Sequence, residues 1–164
     1  MNKQWRLKKR PEAGPSEDCF ELVEADIPKL EPGKALIKTW YLGVAPVMLR
    51  YMQNETDFES ALALGDLMIG RGVGEVIASD CPALPVGALV QARIGWQEYA
   101  LIDDQQIPAP FILRHRDLPA SHGLSSLGPS GFTALIGLRE IGQLKPNDAI
   151  LVSGAAGGVG SQVA

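Results

Sequence analysis

Through roughly its first 112 residues the chain alternates apolar and polar side chains in short runs, each ended by glycine or proline. Residues 3–11 form a polar-alternating run stopped by Pro11, the pattern of an edge strand. Residues 19–28 alternate Phe20 and Leu22 with polar neighbours and end at Pro28. Residues 34–44 make the strongest strand, with Ala35, Ile37, Thr39 and Tyr41 on one face and Leu36, Lys38 and Trp40 on the other. Pro46 suits the first turn of a short helix over residues 45–52, and residues 54–66 read as a loop or short helix. Residues 67–80 form a strand interrupted by Gly70, Gly72 and Gly74, where glycine signals a bend, a bulge or a close approach of backbones. Two further strands lie within residues 87–102, around a turn near Gly95. This spacing of short strands predicts a mainly β unit, consistent with a small barrel.

After residue 112 the period changes. Phe132, Leu135, Ile136, Leu138 and Ile141 recur at helical spacing. Pro129 fits the first helical turn and Gly142 a C-terminal stop. A turn at residues 145–148 leads to Ala149-Ile150-Leu151-Val152-Ser153, an apolar run that predicts a strand buried on both faces of a parallel sheet. The chain then ends in a glycine-rich turn and the first turn of a helix, residues 154–164. A mainly β domain over residues 1–120 therefore hands over, at residues 121–164, to a linker helix and the start of an α/β domain.

The turn carries the candidate chemistry. A dinucleotide-binding turn places glycines at i, i+2 and i+5 between a strand and a helix. Ala155, Gly157 and Gly160 stand at those positions, so alanine replaces the first glycine. Small residues let the backbone approach a diphosphate, and Gly160 lets the helix pack close to the preceding chain. A tight turn with no ligand has the same composition. A phosphate loop ending in Gly-Lys-Ser/Thr is excluded, because no lysine follows Lys145. The glycines of residues 70–76 miss the dinucleotide spacing and fit a bent strand.

Charge and composition narrow the partners. The 164 residues are 46% hydrophobic and 21% charged, with 18 glycines, 12 prolines and a net charge of −4. The longest basic block is Lys8-Lys9-Arg10, which argues against nucleic acid, since phosphate neutralisation needs clustered Lys and Arg. The two cysteines, Cys19 and Cys81, are too few for a disulfide framework or a four-thiolate zinc site. They read as reduced thiols of a cytoplasmic protein. No run is apolar for the roughly 18 residues of a membrane span, and the first residues lack the apolar core of a signal peptide. No His-x-x-x-His or Cys-x-x-Cys pair supports zinc. His115 and His122 are each either a base or a solvated histidine. Tyr41, Tyr51 and Tyr99 are candidate proton donors or packing residues, and Trp96 an aromatic wall or core.

The helix motif Gly128-Pro129-Ser130-Gly131-Phe132-Thr133-Ala134, the glycine turn and residues 95–102 (GWQEYALI) together resemble the medium-chain dehydrogenase/reductase superfamily. They resemble most its zinc-independent members of the leukotriene dehydrogenase/prostaglandin reductase and curcumin reductase type. The resemblance covers the whole chain but only about the first half of such an enzyme. It implies a GroES-like β-barrel substrate domain followed by a truncated Rossmann domain, with NADP(H) bound in the cleft between them. Gly70-Arg71-Gly72 stands where zinc-dependent relatives carry Gly-His-Glu, and the structural zinc loop is missing, so no metal is expected. Thr133 inherits contact with the nicotinamide amide. Ala156, Gly157, Gly158, Val159 and Gly160 inherit the diphosphate cradle. Met48, Tyr51 and Trp96 are the implied substrate-binding residues. The family's Asp-Pro-Tyr-Met-Arg turn is here Ala45-Pro46-Val47-Met48-Leu49, keeping only proline and methionine.

The implied reaction is hydride transfer from NADPH to the C=C bond of an α,β-unsaturated carbonyl, with quinone reduction as the alternative. No catalytic acid is assigned. A folded but inactive domain fragment is the other reading of the chain as it stands. By itself it is expected to bind NADPH weakly and to self-associate, as a homodimer or otherwise, through the apolar run at residues 149–153.

Overall fold

The computed structural model describes residues 1–53, 61–115 and 117–164. They form two compact units, Met1–Arg114 and His115–Ala164. The boundary expected at residues 120/121 falls inside the second unit. Most of the loop expected at residues 54–66 lies outside the described residues.

The first unit is built on two antiparallel sheets. Strand β1 (Asn2–Leu7) pairs with β2 (Phe20–Ala25), with Asn2 opposite Ala25 and Leu7 opposite Phe20. The second sheet has five strands in the order β6-β3-β4-β5-β7. These are β3 (Ala35–Leu42), β4 (Arg71–Ser79), β5 (Leu89–Arg93), β6 (Tyr99–Ile102) and β7 (Phe111–Ile112). The unit is mainly β, as expected, but its sheets stay open instead of closing into a barrel. Irregular segments make the connection in place of a strand. The outer side of β1 bonds to two of them, through Trp5 N to Trp96 O at 2.9 Å, Leu7 N to Asp66 O at 2.9 Å and Met68 N to Trp5 O at 2.9 Å. Thus β1 ends its own sheet without presenting a bare edge.

Neutral amides reinforce this junction. Asn2, fully buried, donates through Nδ2 to Tyr99 O at 2.9 Å and accepts at Oδ1 from Tyr99 N at 2.9 Å. Gln97 Oε1 accepts from Asn2 Nδ2 at 3.2 Å and from Gln4 Nε2 at 2.9 Å. Gln97 Nε2 donates to Ile94 O at 2.8 Å.

The two strands predicted around Gly95 are formed, and the alternation of β3 differs in detail. The strands on either side of Gly95 do not pair with each other. They lie apart in the sheet, β6 at one edge and β5 beyond β4, because the chain crosses between them through the Gly95 turn (φ 68°). The alternation read along β3 holds at Ala35 and Ile37, both fully buried, but Leu36 is buried as well. A register shift between Thr39 and Tyr41 then leaves both Trp40 and Tyr41 about half exposed.

The glycines of β4 have a packing cause. A Cβ on Gly74 would overlap the Lys38 carbonyl oxygen and Ile37 Cγ2, and one on Gly72 would overlap the Ile94 side chain. The two central strands thus approach more closely than any larger residue allows. One core cluster, including Ala35, Ile37, Val76, Val90, Ala100 and Ile102, packs around them. A second includes Leu7, Cys19, Tyr51, Met52 and Met68.

In the second unit, a short 3-10 turn (Ala120–Leu124) precedes helix α2 (Pro129–Ile136), which continues through one π turn (Gly137–Ile141). The helix stops where expected, but the left-handed residue is Gln143 (φ 47°), one beyond Gly142. Leu144 N then bonds to Leu138 O at 3.2 Å, which closes the end of the helix. The apolar stripe of the helix is not covered. Phe132, Leu135 and Ile136 are about half exposed and Ile141 is 80% exposed.

The expected buried strand at residues 149–153 is not formed, and Leu151 is 98% exposed. A parallel strand needs flanking strands to take its N–H and C=O groups. None among the described residues does so. The chain ends in the four-residue helix α3 (Gly160–Val163).

If close strand approach sets β4 against β3, Gly74→Ala should destabilise the protein by about 1–3 kcal/mol, the usual cost of overpacking. Chemical denaturation checks this. A midpoint equal to that of the wild type would show that the sheet has slack at this position.

Candidate functional site

In the first unit, helix α1 (Val47–Gln53) begins directly after Pro46. Met48, Tyr51 and Met52, at i, i+3 and i+4, share its buried face. Its C-terminal end is clamped by the Arg10 guanidinium, which donates to Met52 O at 2.7 Å and to Leu62 O at 2.9 Å. Trp96 follows the left-handed Gly95. It is held by its own N–H on Met68 O at 2.8 Å and stacks on Phe20 with ring centroids 5.6 Å apart.

Gly70 brings two of the predicted substrate residues together. A Cβ there would lie 2.9 Å from Trp96 Nε1 and 3.1 Å from Met48 Cε. Tyr51 belongs to the core cluster against which Trp96 packs. Met48 is 8% and Tyr51 6% exposed, and Trp96 is partly buried. The indole Nε1 of Trp96 is buried without a hydrogen-bond partner among the described residues.

A cavity of about 250 Å³ opens beside them, lined by residues 67–70, 93–95, 97, 100 and 101. None of Met48, Tyr51 or Trp96 lines it. Gly70 belongs to the cavity wall and also faces both Met48 Cε and Trp96 Nε1. The polar groups of the lining are engaged elsewhere, Gln97 in the amide cluster and Arg93 Nη1 on Ile107 O at 3.3 Å. The walls left to a ligand are mostly apolar. Sequence reasoning missed this lining because it joins residues 67–70 to residues 93–101, two segments that only the fold brings together.

The glycine turn lies in the second unit. Gly157 N bonds to Gly154 O at 2.9 Å, and Ser161 N to Gly157 O at 2.9 Å. Its glycines divide by cause. A Cβ on Gly160 would overlap Gly154 O, so the chain's own packing demands glycine there. A Cβ on Gly157 would stand 3.2 Å from the same oxygen. On Gly154 it would meet nothing within 4 Å, and on Gly158 only Ser130 Oγ at 3.4 Å. Ala156, Gly157, Gly158 and Val159 are exposed. The turn thus presents an open, side-chain-poor backbone surface, the form a diphosphate requires.

Thr133 is exposed on α2, and its Oγ1 donates to Pro129 O at 2.8 Å. With that proton committed to its own helix, the hydroxyl oxygen is left as an acceptor for an amide N–H. Gly128 and Gly131 of the same motif are packing requirements. A Cβ on Gly128 would lie 2.6 Å from Gly123 O, and one on Gly131 would overlap Ser126 O. His122 Nδ1 is 2.7 Å from Ser126 Oγ, and His115 is exposed. Among the described residues no group of three or more His, Cys, Asp or Glu is placed to hold a metal ion. No helix among them is long and apolar enough to cross a membrane.

Known proteins resemble the chain over nearly its whole length. A family model described as the N-terminal domain of oxidoreductase matches residues 3–109. Prostaglandin reductase 1 of Oryctolagus cuniculus is 37% identical over 161 residues, covering 98% of this chain and 44% of that protein. The NADPH-dependent curcumin reductase of Escherichia coli (strain K12) is 33% identical over 162 residues, covering 99% and 46%. The crystal structure of CurA from Vibrio vulnificus in complex with NADPH superposes with a TM-score of 0.84 at 34% identity, covering 98% and 47%. The chain thus spans less than half the length of each of these three relatives.

The Gly70 contact is open to test. In a Trp5→Phe, Trp40→Phe background, Gly70→Ala should push Trp96 from its packed position and shift its fluorescence to the red. It should also lower stability by about 1–3 kcal/mol. Unchanged emission and stability would mean that the packing of Met48 and Trp96 around Gly70 does not depend on the missing side chain.

Proposed function

Because the chain belongs to the family of oxidoreductase N-terminal domains, we propose that it is the substrate-side portion of an NADP-dependent reductase of α,β-unsaturated carbonyl compounds. One observation carries this reading. In the glycine turn, Gly160 is required by internal packing, while Gly154 and Gly158 face almost nothing of the chain itself. Glycines that the chain's own packing does not need leave room for something else, and a diphosphate fits an exposed backbone turn. The relatives named above as prostaglandin and curcumin reductases support the substrate class, and the NADPH-dependent one supports the cofactor.

When bound, NADPH supplies a hydride for the β-carbon of the unsaturated carbonyl. The chain's own residues bind and orient. The backbone of Ala156, Gly157, Gly158 and Val159 takes the diphosphate, with Gly160 holding the turn closed beneath it. Thr133 accepts from the nicotinamide amide. In the first unit, the apolar cavity beside Gly70 receives the hydrocarbon part of the substrate and excludes water from it. Met48 and Trp96, which face Gly70, set the position of that wall, and Tyr51 supports Trp96 from the core cluster.

Gly157→Val places a branched side chain on the diphosphate surface. It should weaken NADPH binding tenfold or more, a loss of about 1.4 kcal/mol. Amide chemical shifts of residues 154–160 during an NADPH titration read this, with circular dichroism confirming the fold. Equal affinity in a folded variant would refute the assignment of the turn.

A further inference from the structure

We propose that Ser130 is a further cofactor-binding residue, its hydroxyl donating a hydrogen bond to the diphosphate held on the glycine turn. The inference rests on the reading of that turn as the cofactor cradle. Ser130 is the second residue of α2, and its Oγ lies 3.4 Å from the point where a Cβ of residue 158 would stand. Since residue 158 is glycine, no side chain separates the hydroxyl from the open face of the turn. The two form one continuous surface within the second unit.

The hydroxyl is also uncommitted. Thr133 Oγ1, three residues further along the same helix, is spent on Pro129 O, and Ser126 Oγ is paired with His122. Ser161 Oγ sits 3.4 Å from Gly158 O. Ser130 Oγ makes no hydrogen bond to any described residue. It is half-buried, so few waters compete for its proton. A neutral donor facing an anionic oxygen makes a stronger bond than one facing a neutral acceptor. Ser130 and Thr133, at i and i+3, lie on the same side of the helix. The helix would then touch the cofactor at two points, the diphosphate through Ser130 and the nicotinamide amide through Thr133.

The test uses the 164-residue chain and inorganic diphosphate at constant ionic strength, read by the amide shifts of residues 156–159. Ser130→Ala should leave the fold intact, because alanine is the better helix former. It should raise the diphosphate dissociation constant roughly tenfold, about 1.4 kcal/mol. Ser130→Thr keeps the hydroxyl and should bind within about threefold of the wild type, a difference of about 0.6 kcal/mol. If Ser130→Ala binds like the wild type while Gly157→Val binds weakly, the role given to Ser130 is wrong and the cofactor reading stands. If diphosphate moves none of these amides in the wild type, both fall.

Discussion

A cluster of neutral amides joins the two sheets of the first unit. Asn2 meets Tyr99 as one strand residue meets another, its side chain giving one hydrogen bond to the backbone and taking one from it. Gln97 then collects the side chains of Asn2 and Gln4 on a single oxygen. Each such bond contributes only about 1 kcal/mol net, but a buried amide left unpaired costs more than that. The cluster therefore works chiefly by exclusion. Any other register between β1 and residues 96–98 strands a buried donor or acceptor.

The candidate site inherits this register. With Gln97 fixed, the residue before it, Trp96, is held between Trp5 and Met68 by backbone bonds and presented to Gly70. Gly70 in turn touches Met48 at the start of α1 and lines the cavity. Glycine at position 70 and the amides at 2, 4 and 97 thus act on the same corner. The amides set where the indole is, and the glycine leaves it room. The second unit uses the same device in another place, with Gly160 closing on Gly154 O to hold the turn.

Much of this was legible in the sequence where the cause is local. The strand positions, Pro46 before α1, Pro129 at the start of α2 and the glycine turn all act within a few residues, and each appears where its pattern predicts, although the alternation along β3 breaks at Leu36 and after Thr39. What depended on distant partners was not legible. Asn2 and Gln4 look like the wet side of an edge strand, because their partner lies 93–97 residues away. The run at residues 149–153 has the composition of a buried strand, but composition does not supply neighbours to pair with. Ser130 carries no signal of its own, and only its position beside Gly158 makes it a candidate. Open sheets in place of a barrel follow from the same limit, since irregular segments that take a strand's place have no alternation to read.

The claim that an amide cluster around the buried Asn2 sets the register is tested most directly by a double-mutant cycle of Asn2→Ala and Gln97→Ala, followed by chemical denaturation. The account predicts a coupling of about 1 kcal/mol or more, with the double variant less destabilised than the sum of the two singles. Additive losses, within about 0.3–0.5 kcal/mol, would contradict it. They would show that Asn2 and Gln97 act independently, each through its own backbone partners, and not as one cluster.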